Sequence, residues 1–112
     1  MRLVKPANKV IFVDKKIESN FNSLPEDWLK IAIRKAIIDM KENAFCGERI
    51  KKELIPKIYI KKYGRINNLW WYPLANAWLL VYSITTPNSS EIWAAIIDYM
   101  SHKDYERIFH YH

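Results

Sequence analysis

Seven of the eighteen basic residues of this 112-residue chain lie between Arg49 and Arg65 (RIKKELIPKIYIKKYGR), where Glu53 is the only acid. The segment carries +6, the net charge of the whole chain; elsewhere nine bases meet seven acids before it and two meet four after it. Lysine and arginine in such concentration suit a polyanion, because they neutralise phosphates and release counterions. A charge run can equally serve as a solvated face that keeps a small domain soluble. Within the run, Lys57, Tyr59 and Lys61 alternate with Ile58 and Ile60. On a β-strand that alternation puts the cations and the aromatic ring on one face and the isoleucines on the other. Cations interleaved with an aromatic suit single-stranded RNA, whose bases stack while its phosphates pair with lysine; strand propensity accounts for the tyrosine equally well. Lys51, Lys52 and Lys62 extend the strip on either side, and Arg65 follows it. Glu48 and Glu53 stand beside it, as a base or as ordinary solvated side chains.

A second group is C-terminal: His102, Lys103, Tyr105, Arg107, His110, Tyr111 and His112. Histidine is the natural acid or base near neutral pH, and tyrosine can orient or donate a proton. His102, directly after an apolar run, is better placed than His110 and His112, because terminal residues of a domain are often frayed or simply surface. Three histidines near a terminus fall short of the convergent ligand set that a metal requires, so no metal and no cofactor is expected. There is no glycine-rich phosphate loop and no nucleophile-elbow motif.

The elements that must position these residues can be read from periodicity. Residues 9–13 (KVIFV) predict a short strand ending at Asp14, a helix cap. Ile17, Phe21 and Leu24 form one stripe of a short helix; Pro25 at a first helical position opens a second, with Leu29, Ile33, Ala36, Ile37 and Met40 facing inward as far as about Asn43. A loop around Cys46 and Gly47 follows. Four strands are then predicted, over residues 57–62, 68–74, 77–85 and 91–99, before a short polar helix or turn over 101–109. Trp70 and Trp71 are adjacent, so a regular strand cannot point both inward. Helices segregated ahead of an antiparallel sheet give an α+β class.

One domain, residues 1–112, accommodates a chain of this length with half its residues apolar. The single Cys46 excludes an internal disulfide and suits a reducing cytosol. No stretch is long and apolar enough for a signal-peptide core or a membrane span, and a cytoplasmic protein is expected.

The element order and three segments, KKYGRINNLWWYPL, AWLLVYSI and HKDYERIFHY, resemble the RelE/ParE superfamily of type II toxin–antitoxin toxins from about Val10 to Tyr111. The resemblance implies an N-terminal strand, a helical hairpin, a four-stranded antiparallel meander and a short C-terminal helix. For the RelE-like branch it implies a metal-independent mRNA endoribonuclease acting at the ribosome by 2′-hydroxyl attack, partnered by a cognate antitoxin; for the ParE branch it implies action on gyrase. Carried over by position, Lys57, Lys61 and Lys62 match the basic strand and Arg65 the arginine after it. Lys103, Tyr105 and Arg107 match the terminal helix, and His102 the histidine of some members. Lys61, Arg65 and Arg107 are then expected to stabilise charge at the scissile phosphate, with His102 or Tyr105 moving the proton. Lys51, Lys52, Lys57, Tyr59, Lys62 and Lys103 are expected to hold RNA. One position departs from the pattern: Leu79 stands where the family has its phosphate-holding arginine. Loss of such a cation typically costs ~10²–10³ in rate. A protein that binds an antitoxin or a nucleic acid without cutting is therefore the alternative.

Overall fold

The structure is a computed structural model that describes residues 4–64 and 66–109. Strand β1 (Lys9–Phe12) leads to Asp14, whose carboxylate accepts the Ile17 N–H at 2.9 Å and so caps helix α1 (Lys15–Asn22). Ile17 and Phe21 are buried, as their spacing predicts. Helix α2 (Trp28–Glu42) buries Ile33, Ala36 and Met40 and ends at Asn43. Its start differs from the sequence reading: Asp27, not Pro25, sets the boundary, accepting the Trp28 N–H at 2.7 Å. Lys30 is buried where α1 ends, donating to the carbonyls of Asn22 and Leu24 at 3.1 and 3.2 Å.

Strand β2 (Glu48–Ile50) follows, then a single 3-10 turn (Lys52–Leu54) and helix α3 (Lys57–Tyr63). Strands β3 (Leu69–Pro73), β4 (Trp78–Asn88) and β5 (Glu91–Ser101) and helix α4 (His102–Phe109) complete the described chain. The sheet order is β1-β5-β4-β3-β2; β1 lies parallel to β5 and the other pairs are antiparallel. The domain is α+β with a mixed five-stranded sheet, not a simple four-stranded meander. Two expectations are corrected here. Residues 57–62 form a helix, and the strand that pairs with β3 is the three-residue β2, in a stretch expected to be loop.

Helices cover both faces of the sheet. On one, α1 and α2 enclose Leu80, Tyr82, Ala94 and Ile96. On the other, Tyr59 of α3 and Phe109 of α4 close over Leu69, Leu79, Val81, Ile97 and Met100. Trp70 packs into the first cluster and Trp71 into the second, as alternation requires of neighbours on a strand. Tyr82 ties its layer to the loop before β2: its hydroxyl accepts the Gly47 N–H at 2.9 Å and donates to the Ala44 carbonyl at 2.8 Å. A Cβ on Gly47 would stand 2.5 Å from the Trp71 carbonyl oxygen, so this close approach admits no side chain. Among the described residues no helix is long and apolar enough to cross a membrane.

Candidate nucleic-acid interface

Helix α3 reverses the expected orientation of its residues. Tyr59 is only 6% exposed, whereas Ile58 and Ile60 are 63% and 43% exposed. The reason is a second periodicity in the same letters. Tyr59 and Tyr63 stand at i and i+4, the spacing of one helical face, with ring centroids 6.3 Å apart. Pro56 precedes the first turn, and Gly64 after the last adopts φ +78°, a conformation that favours glycine and stops the helix. These flanks and the tyrosine pair are the sequence signals that identify the helix.

Tyr59 therefore offers no ring for a base to stack on; it packs 5.7 Å from Phe109, centroid to centroid. Its hydroxyl donates to Asp98 at 3.2 Å. A β-bulge explains how that carboxylate comes to face α3. Val81 is paired with Asp98 and Tyr82 with Ile96, so Ile97 is the extra residue, and Ile97 and Asp98 both turn to the α3 side. Burial pushes the Asp98 carboxyl above its usual range, opposed by the Tyr99 N–H and the Tyr59 hydroxyl. Burial, then the Asp98 charge, pushes the Tyr59 phenol up. Sequence reasoning missed Asp98 because no local pattern announces a bulge.

The cations remain outside. Arg49, Lys51, Lys52, Lys57, Lys61 and Lys62 are all exposed, and Lys57 and Lys61 lie one turn apart on α3. Lys61 and Lys62 occupy the last turn, where the helix dipole favours positive charge. The Lys62 ammonium sits 5.3 Å from the centre of the Tyr63 ring, and the Tyr63 hydroxyl raises its pKa. Arg65 lies outside the described residues, as do His110, Tyr111 and His112.

On α4, His102 and Lys103 are exposed. The His102 Nε2 is 3.6 Å from a Glu106 carboxylate oxygen, and Arg107 pairs with Asp104 at 3.2 Å. Tyr105 stacks on Phe109 with centroids 4.4 Å apart. Leu79, 3% exposed, belongs to the core beneath these rings. The groove between α3 and α4 above Leu79 is thus filled by Tyr59, Tyr105 and Phe109. The arrangement presents cations on an outer surface.

Among the described residues no three histidine, cysteine, aspartate or glutamate side chains converge as metal ligands. No protein-family model, curated protein or solved structure matches the chain.

Proposed function

We propose that this chain binds single-stranded RNA through the lysines of the β2–α3 segment and acts by holding it rather than cutting it. One observation carries the reading: the segment holding the entire net charge of the chain displays Arg49, Lys51, Lys52, Lys57, Lys61 and Lys62 on its surface. Exposed lysines grip phosphate as mobile point charges without reading sequence. A seven-residue helix with no arginine or amide side chain offers none of the bidentate contacts that read a duplex groove, so a flexible strand fits it better.

The RelE/ParE resemblance supplies the setting: a RelE-like toxin domain in the cytoplasm that occupies message at the ribosome and is held in check by an antitoxin. Within that setting, a filled groove and a buried Leu79 favour binding over catalysis. Cleavage by 2′-hydroxyl attack is the second reading. Its support is His102, exposed at the start of α4 with its Nε2 3.6 Å from a Glu106 carboxylate oxygen. Gyrase inhibition is separated from both by a supercoiling assay.

The test mixes purified protein with an end-labelled single-stranded RNA and resolves it on native and denaturing gels. Retardation with intact RNA is the expected result, and it should be abolished by Lys57→Glu/Lys61→Glu. Intact, unretarded RNA refutes the proposal. Fragments lost on His102→Ala establish cleavage instead.

A further inference from the structure

Beside Tyr63 at the end of α3, a cleft of about 580 Å³ opens between residues 66–68 and the strands β4 and β5. Its volume falls in the range of about 300–1,000 Å³ typical of small-molecule sites. Tyr63 forms one wall, Val13 and Ile97 supply apolar surface, and Ser83, Thr85 and Asn68 supply polar edges. The cleft is built before any ligand arrives. Asn68 is stitched to β4, its Nδ2 donating to the Ile84 carbonyl at 2.9 Å and its Oδ1 accepting the Ile84 N–H at 2.8 Å.

Charge stands beside the cleft and not within it. The Lys62 ammonium lies 5.3 Å from the centre of the Tyr63 ring, whereas the described residues that line the cleft carry no charged side chain. A phosphate is therefore favoured at Lys62, and an uncharged ring with hydrogen-bonding edges is favoured inside. A nucleotide has this division: a flat, uncharged base with hydrogen-bonding edges, attached to a charged phosphate. The half-buried Tyr63 ring offers the stacking surface that Tyr59 does not.

From this arrangement we infer that the cleft beside Tyr63 seats one unstacked base of the RNA strand whose phosphates lie on the lysines of α3. The inference rests on the RNA-binding reading above and adds a defined base site to it.

The experiment measures affinity for a nine-nucleotide single-stranded RNA and for the same strand made fully abasic, using wild type, Tyr63→Phe and Tyr63→Leu. Loss of one stacked base weakens binding roughly 5- to 150-fold. Wild type and Tyr63→Phe should therefore prefer RNA over the abasic strand by that factor, and Tyr63→Leu should lose the preference while still binding the abasic strand like wild type. The wild-type comparison needs no protein variant, so a Tyr63→Leu protein that fails to fold leaves the test intact. Equal, salt-sensitive binding of both strands by wild type overturns the base site and leaves the lysine grip standing. Absence of binding to either strand overturns both.

Discussion

Replacing Lys57 and Lys61 with glutamine should change the salt dependence of RNA binding by an amount set by counting phosphates. Both side chains are exposed, lie one turn apart on α3 and make no hydrogen bond or ion pair among the described residues. Glutamine keeps nearly the helix propensity of lysine, so α3 should survive the change. On a single strand each neutralised phosphate contributes roughly 0.7 to the slope of log affinity against log salt. If Lys51, Lys52, Lys57, Lys61 and Lys62 each meet one phosphate, the wild-type slope is about −3.5 and affinity falls ~100-fold between about 50 and 200 mM salt. The double variant should show a slope of about −2.1 and a fall of ~20-fold over the same range. Fluorescence anisotropy of a labelled uridine oligomer across that salt series measures both slopes, with circular dichroism to check the helix. Equal slopes for the two proteins would refute the assignment of these lysines to phosphate, whatever the absolute affinities.

Three further outcomes follow from the packing. Tyr82→Phe removes the hydroxyl that accepts the Gly47 N–H and donates to the Ala44 carbonyl, deleting two buried hydrogen bonds; the loss should be about 1–3 kcal/mol, read as a lower urea midpoint. A change under 0.5 kcal/mol, on the order of a neutral surface substitution, would contradict that role. Asp98 has a folded pKa above its unfolded value, so the folded state holds its proton more tightly and its contribution to stability rises as pH falls from above the folded pKa towards the ordinary value of 3.8. Asp98→Asn should flatten that part of the profile and be more stable than wild type at neutral pH; parallel denaturation profiles from pH 7 to pH 4 (about the range needed) would count against a buried charge. Ala77 adopts φ +60° directly after Asn76 at φ +56°, so Ala77→Gly should raise stability by about 1 kcal/mol in thermal melts, and a lower melting temperature would show that the turn carries no strain.

The legible parts of the fold were those with one dominant period or a strong cap. Asp14 with Ile17 and Phe21 and the inner stripe of α2 each carry such a signal, and the continuous apolar runs of β4 and β5 mark strands buried on both faces. Residues 57–62 carry two, period two through Ile58 and Ile60 and i, i+4 through Tyr59 and Tyr63. Burial of the larger tyrosine rings beside Phe109 and Asp98 decides between them. β2 is too short to display a period at all; only its pairing with β3 defines it. The surface lysines were legible from composition because a charged side chain goes outside whichever element forms unless, like Lys30, it meets buried carbonyls. The tyrosine that was to stack beside them was not, because its face depended on the element type.

The parallel pairing of β1 with β5 has a consequence for how the chain assembles. The Asn8 side chain accepts the Ile92 N–H across 84 residues of sequence, and Lys9 to Phe12 find their partners at Trp93 to Ile96. The first strand made at the ribosome must wait for nearly the last. Until β5 emerges, α1 and α2 have no complete sheet to cover, and the apolar KVIF strand has no edge to join. Such long-range closure slows folding and makes it a late, collective event, so a chain truncated before β5 should collect as an unfolded, aggregation-prone species instead of a partly working domain.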